Sequence, residues 1–320
     1  MARQRRRKGL PINGWLCLDK PEGMTSTAAV GMVKRVTNAQ KVGHGGTLDP
    51  LATGVLPIAM GEATKTVAYV MDGEKQYRFT MKLGAATNTD DSEGEIVETS
   101  DLRPSTAEIE AALPAFIGSI EQVPPAFAAV KVAGERAYDI ARRGETVELE
   151  ARTVEVGDLA LVERPDDDHV ILDLSCGKGT YVRAIARDLG RQLGCFGHVT
   201  ALRRTKVGAF EADQAVSPET LERLIEDDAF PQVLRPIKDA LSGLPSLSLT
   251  EPQAERLRAG RTIRVASHLV TGPGIQGDGE DEDTTIRAMA SGDVVALARL
   301  SGGELSPVRV FNLRAHPNMT

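Results

Sequence analysis

"GHGGTLDPLATGVLPI", Gly43 to Ile58, places three glycines, one histidine and one aspartate ahead of a run that is almost wholly apolar. Glycines at 43, 45 and 46 free the backbone for positive φ or for the close approach of a ligand. Pro50 biases the residue before it, Asp49, toward extended geometry. Two readings of that carboxylate stand open. Asp-Pro-Leu-Ala is a good helix start, with Asp49 as N-cap and Pro50 at the first helical position. A cap, however, needs no glycine-rich loop, no His44 and no neighbouring threonine, so the composition of the stretch also suits a carboxylate presented to a ligand.

Working outward, "STAAVGMVKRVTNA" (26–39) spaces Ala29, Val30, Val33 and Val36 as a helix behind Ser26 as cap. "KQYRFTMKLG" (75–84) alternates Tyr77, Phe79, Met81 and Leu83 with polar residues, which predicts a strand with one buried face. Ser105 and Glu108 have the capping-box spacing, "ERAYDIARRG" (135–144) reads as a helix closed by Gly144, and 169–194 reads as strand, glycine turn and amphipathic helix. Ser217 and Pro218 open a further helix, and the segment after it, 232–249, is the expected domain junction. Beyond lie one short helix (250–263), strands at 294–300 and 306–313, and a Gly-rich acidic loop at 271–285. Strands and helices mix without a regular βαβ rhythm. The expected fold class is therefore α+β, with a mixed, mostly antiparallel sheet in the larger domain and a small β-rich domain after it.

The chain has 320 residues, which suits two domains better than one. Its 41% hydrophobic and 26% charged residues are those of a soluble globular protein, and no apolar run approaches the roughly 20 residues of a membrane span. Cys17, Cys176 and Cys195 are odd in number and widely separated, so neither a disulfide framework nor a zinc site is supported and a reducing cytoplasm fits. "MARQRRRKGLPING" is positive but no apolar signal region follows, so it reads as a cytosolic start. The net charge of −7 excludes a wholly basic nucleic-acid binder, yet residues 1–50 hold nine Lys/Arg against three Asp/Glu, 9 − 3 = +6. Such a basic arm, residues 1–13, suits phosphate attraction, and a solvated tail accounts for Arg3 to Lys8 equally well.

"GHGGTLDPLATGVLPIAMGEATK" (43–65), with "LDKPEGMTS" (18–26), "KQYRFTMKLG" and "SCGKGTYVRAIARDLG" (175–190), resembles the bacterial tRNA pseudouridine synthase family of the TruB type, over about Gly14 to Leu234. The resemblance implies a pseudouridine synthase catalytic domain over 14–240, with a PUA-like β-barrel for RNA binding over 245–315. It implies isomerisation of a uridine in the T-arm loop of tRNA by base flipping, with no metal or organic cofactor. Asp49 falls on the family's nucleophile, Tyr77 on its strand tyrosine and Arg183 on the arginine of the G-T-Y-[IV]-R motif. Tyr181 and Leu202 fall on positions that line the uridine pocket, and His44 on the histidine that fills the gap left by the flipped base. Lys20 and Pro21 match a motif that supports the active-site loop. A carboxylate nucleophile can attack the sugar C1′, directly or by way of a glycal, or C6 of the base, and the sequence does not choose.

The expected partner is tRNA, with no membrane and no obligate protein partner, and the simplest assembly is a monomer. A rival reading is an RNA-binding or tRNA-folding protein in which catalysis is secondary. Both keep the basic arm, whereas only the enzyme needs Asp49 ionised beside Arg183 and an aromatic Tyr77. Deleting residues 3–8 should weaken tRNA binding and flatten its dependence on salt. Affinities measured by filter binding across a salt series check this, and an unchanged slope returns the arm to a solvated tail.

Overall fold

A computed structural model of the chain describes residues 9–128, 130–132, 135–136, 140, 143, 149–273 and 284–313. Arg3 to Lys8 lie outside these residues, as do most of the acidic loop and most of the helix expected at 135–144. The strands are β1 (Gly14–Lys20), β2 (Val42–His44), β3 (Thr53–Met60), β4 (Lys75–Leu83), β5 (Ala85–Thr87), β6 (Ile96–Thr99), β7 (Gly118–Gln122), β8 (Lys131–Val132), β9 (Glu135–Arg136), β10 (Arg152–Glu163), β11 (His169–Cys176), β12 (Gly197–Val207) and β13 (Phe210–Glu211). Continuing, they are β14 (Ser246–Ser248), β15 (Ile263–Arg264), β16 (Thr284–Ala290), β17 (Asp293–Ser301) and β18 (Glu304–Val310). The helices are α1 (Ser26–Thr37), α2 (Val67–Asp72), α3 (Thr106–Ala112), α4 (Val182–Gln192), α5 (Pro218–Glu226) and α6 (Glu251–Arg258).

The large sheet runs β1-β3-β12-β4-β11-β10-β7, with β2 on β3 and β13 on β12. Its pairings are antiparallel except β12 against β3. The mixed, mostly antiparallel α+β expectation is met here. The apolar run after Asp49 is β3, buried on both faces. Leu56, Ile58 and Met60 join Leu16 and Leu18 of β1 in the core that α1 and α4 cover. The alternate residues Val55 and Ala59, with Trp15 and Cys17, join a second core on the other side. A strand buried on both sides reads as a continuous apolar run, which is why this segment shows no polar alternation.

The second core carries the C-terminal part of the chain. Trp15 is fully buried, its ring 5.3 Å from that of Phe210, and Val294, Leu297 and Phe311 pack into the same cluster. Lys65 Nζ reaches the Val310 carbonyl at 2.8 Å, Asn312 N–H donates to Glu62 Oε2 at 2.7 Å, and Lys238 Nζ donates to the Gly292 carbonyl at 2.9 Å. The C-terminal sheet itself runs β14-β16-β17-β18-β15 around its own apolar cluster, which α6 closes with Ala254 and Leu257.

Four local expectations change. Thr25, not Ser26, caps α1: its hydroxyl accepts from Ala28 N–H, and the buried Ser26 hydroxyl instead bridges the backbone N–H and carbonyl of Leu48. No helix begins at Asp49-Pro50; the Ala52 N–H bonds the Asp49 carbonyl in a turn and the chain enters β3 at Thr53. Glu135 and Arg136 pair with Lys131 and Val132 as strands, so no helix starts at 135. The acidic loop ends before 284, because Thr284 and Thr285 pair with Leu300 and Arg299 in β16, a strand the sequence reading left out.

Gly54 fixes the parallel junction of the large sheet. Its φ is +96°, and a Cβ there would collide with the Arg204 carbonyl across the β3–β12 pair. Gly43, in contrast, faces open space. Gly54→Ala should therefore lower stability by about 3 kcal/mol, while Gly43→Ala should change it by less than about 0.5 kcal/mol. Urea unfolding curves of the two variants, read from their midpoints at equal slope, check the contrast.

Candidate active site

The loop from Gly45 to Ala52 leads into β3 and is held from three sides. From α1, Ser26 grips Leu48 through both backbone groups. From β1, the fully buried Lys20 sends Nζ to the carbonyls of Pro21 at 2.9 Å, Met24 at 2.7 Å and Pro50 at 3.2 Å. Gly23 N–H also donates to Pro50 O, so the Lys20-Pro21 turn and the Asp49 loop share one acceptor. From β12, Arg204 bonds the carbonyls of Gly46 and Thr47. Two of the three glycines are needed for this path: Gly46 has φ +125°, and a Cβ at Gly45 would press on Val70 and Trp15.

Asp49 at the head of this loop pairs with Arg183 on α4, Oδ2 to Nη2 at 2.8 Å. The guanidinium keeps 5% of its side-chain surface and the carboxylate 39%, so the acid is held from behind and open in front. Arg183 also contacts Asp91 Oδ2 at 3.3 Å and donates to the carbonyls of Thr89 and Phe127, each at 3.0 Å. The geometry is that of a buried cation satisfied on every side, which fixes where Asp49 can be. Arg187, one turn later, does not compete: it bonds Asp90, Asp188 and the Val123 carbonyl. Burial pushes the Asp90 carboxyl above its ordinary range and Arg187 opposes that.

A cleft of about 280 Å³ opens beside Asp49, lined by Tyr77, Tyr181, Arg183 and Leu202 among others. The strand register explains the grouping. Leu202 and Arg204 of β12 stand directly opposite Phe79 and Tyr77 of β4, so the four share one face of the sheet. Burial raises the Tyr77 phenol above its ordinary value, and neighbouring Arg204 opposes the rise. Tyr181 precedes α4, clamped by Gln122, whose amide accepts from Tyr181 N–H at 2.8 Å and donates to its carbonyl at 3.2 Å. Burial, then the Asp49 charge, raises its phenol too. Five of the eight sequence-expected residues thus share the cleft, and Lys20 and Pro21 stand behind its loop. His44 ends β2 next to the loop rather than lining the cleft, and its buried Nδ1 has no hydrogen-bond partner among the described residues. Burial and the Arg204 charge lower its pKa, which keeps the ring neutral.

Sequence reasoning missed Ser26, Asp91, Gln122 and Arg204. Of these only Arg204 left a trace, in "LRRT", where adjacent arginines on a strand must face opposite ways: Arg203 turns out to Asp19, with bonds of 3.0 and 2.9 Å, and Arg204 turns in. Among the described residues no group of three or more His, Cys, Asp or Glu is arranged to hold a metal ion. Among the described residues no helix is long and apolar enough to cross a membrane. The three cysteines are free and buried.

Residues 34–182 match the TruB family pseudouridylate synthase N-terminal domain, and residues 183–242 the tRNA pseudouridylate synthase B C-terminal domain. The chain belongs to the TruB family of pseudouridylate synthases. It is 52% identical to a protein of Caulobacter vibrioides named tRNA pseudouridine synthase B, over 97% of this chain and 99% of that one. A protein of the same name from Dinoroseobacter shibae is 52% identical over 96% of this chain and 98% of its own. Among solved structures, a chain in a Cbf5-Nop10-Gar1 complex superposes with a TM-score of 0.72 at 25% identity, covering 93% of this chain and 84% of that chain. Another, from an H/ACA RNP bound to a substrate RNA containing 2′-deoxyuridine, shares the fold at TM-score 0.72 and 23% identity, over 97% and 92% of the two chains. Asp49 and Arg183 fall either side of the boundary between the two matched segments, Arg183 being the first residue of the second.

Lys20 yields a test. Burial lowers its pKa from 10.5 to about 8, the Asp49 charge opposing. Between about pH 8 and 10.5 an unfolded chain therefore binds more protons here than the folded one, so this group favours folding increasingly as pH rises through that window. Over the same window the ammonium clamp on the Pro50 carbonyl is lost. Turnover should accordingly fall above about pH 8 while the protein stays folded. Lys20→Met should lose at least about tenfold in rate, since bonds from a charged donor are worth roughly 1.5–3 kcal/mol each. Single-turnover rates and circular dichroism from pH 6 to 10 check both.

Proposed function

We propose that this protein isomerises uridine to pseudouridine in the T-arm loop of tRNA, with Asp49 as the nucleophile. One observation carries the reading: a carboxylate open on one side and fixed on the other by a buried guanidinium 2.8 Å away, at the edge of a cleft lined by Tyr77, Tyr181 and Leu202. Membership of a pseudouridylate synthase family, and full-length relatives named for tRNA, support the reaction and the substrate.

The chemistry asks for such a set. The bond from N1 to C1′ must break, the free uracil must turn while trapped, and C5 must then bond to C1′. Asp49 is the covalent partner that divides this into two easier displacements. Arg183 holds it charged and aimed. Tyr77 stacks on the base and takes the proton that leaves C5, while N1 takes one up, so the count of protons is unchanged. Tyr181 and Leu202 wall the uracil. His44, neutral and planar, fills the gap in the loop, offsetting the unstacking cost of a few kcal/mol. Lys20 and Pro21 brace the nucleophile loop. No electron leaves the substrate and no phosphoryl group moves, so the reaction calls for no cofactor.

The division of labour we infer is a catalytic domain over 14–240 and a PUA-like domain over 245–315 that grips tRNA away from the reacting base. The protein acts as a cytoplasmic monomer without an obligate protein partner. Asp49→Asn should retain the fold and the affinity for a T-arm transcript, and turnover should fall below detection. Pseudouridine formed by the purified variant, read by mass analysis of the RNA, would overturn the assignment of the nucleophile. Unchanged function of the variant as an RNA binder alone would not rescue it, because the rival reading tolerates the loss of the carboxylate.

A further inference from the structure

Arg204 is 2% exposed, and among the described residues no carboxylate lies within ion-pair distance of it. Its donors go instead to main-chain carbonyls: Nε to Val55 at 2.8 Å, Nη2 to Gly46 at 3.1 Å and Nη1 to Thr47 at 3.3 Å. An interior guanidinium with no counter-charge is costly. The three carbonyls it holds leave open what else that charge does.

The strand register supplies one. Arg204 on β12 is paired directly with Tyr77 on β4, both side chains on the cleft face, and Leu174 of β11 stands on the other side of Tyr77. The charged and titratable groups around the phenol are Arg204, Cys176 and Asp49, with Lys75 and Arg183 lining the same cleft. Asp49 is turned onto Arg183, and Lys75 onto the Met71 carbonyl. The Cys176 thiol is pushed up to about 11 by burial and is neutral. Arg204 alone stands across the strand pair from Tyr77 as a fixed cation with hydrogen-bonding reach to the hydroxyl.

We propose that Arg204 is a positioning residue that makes the Tyr77 oxygen an effective proton acceptor, while its contacts to Gly46, Thr47 and Val55 lock that oxygen in register with the Asp49 loop. This rests on the reading of the site given above. In the step concerned, the C5–H bond breaks after C5 has joined C1′. Tyr77 enters this step as the phenolate, its own proton having passed to water. The C5 proton passes to that oxygen, the C5–H electron pair restores the C5–C6 double bond as the N1–C6 pair moves onto N1, which takes a proton from water, and the phenol then returns its proton to water. A cation beside the oxygen favours the charged phenolate that the step requires.

The test uses full-length protein and T-arm transcripts carrying either hydrogen or deuterium at C5 of the target uridine. Arg204→Met should slow single turnover by about a hundredfold with transcript affinity unchanged, and a primary deuterium isotope effect absent from the native enzyme should appear. Placing 3-fluorotyrosine, a more acidic phenol, at position 77 should restore about tenfold of the loss in Arg204→Met and change the native rate little. A loss of rate with neither isotope effect nor rescue would show Arg204 to be scaffold only, and the proposal would fall. Should Arg204→Met not fold, the same pair of measurements on Arg204→Lys decides, with a smaller loss expected. Failure here leaves an inactive Asp49→Asn intact, whereas an active Asp49→Asn removes the site reading itself.

Discussion

The Arg183 guanidinium is the contact on which the rest of the site depends. It lies between two carboxylates, Asp49 in front and Asp91 behind, and spends its remaining donors on two carbonyls. Removing any partner leaves part of a buried cation unpaired, a penalty of several kcal/mol. The fold therefore presents the Asp49 loop, the loop carrying Asp91 and the start of α4 as one unit. Asp49 needs no further tether of its own, so one side of its carboxylate stays free for chemistry.

Beneath that unit, the two-sided burial of β3 ties the site to the architecture. Its Leu56, Ile58 and Met60 pack under the helices, and its Val55 and Ala59 pack toward the C-terminal sheet. An Asp49 loop that ends in a strand fixed from both sides cannot drift with one layer. Gln122 extends the same logic to the far wall by clamping both backbone groups of Tyr181.

How much of this could be read from the sequence follows from which interactions are local. The strand at 75–83, the Ser105–Glu108 capping box and the Ser217-Pro218 helix start rest on neighbouring residues, and each is found. The cleft set of Asp49, Tyr77, Tyr181, Arg183 and Leu202 was legible through family motifs, each placed in its own element. The failures are non-local. Ser26 sits at a good capping position, but the demand of Leu48, 22 residues on, captures its hydroxyl and leaves the cap to Thr25. Asp49-Pro50 has the letters of a helix start and the tertiary pull of Arg183 and Lys20 overrides them. Strand β16 adjoins a Gly-rich acidic stretch, and only its pairing with β17 shows where it begins. Gln122 acts across to a helix start that no local spacing encodes, and "LRRT" tells that one arginine turns inward without telling what it meets.

Trp15 draws a last consequence from the packing. It is the chain's single tryptophan, fully buried where β1, Phe210 and the C-terminal sheet meet, with its indole N–H on the Thr66 hydroxyl at 3.3 Å. Intrinsic emission from this protein thus originates at one seam, on the opposite side of β1 from the helical layer. Its colour and quenching gauge whether the two sheets remain in contact, which makes the molecule its own spectroscopic probe of the joint between them.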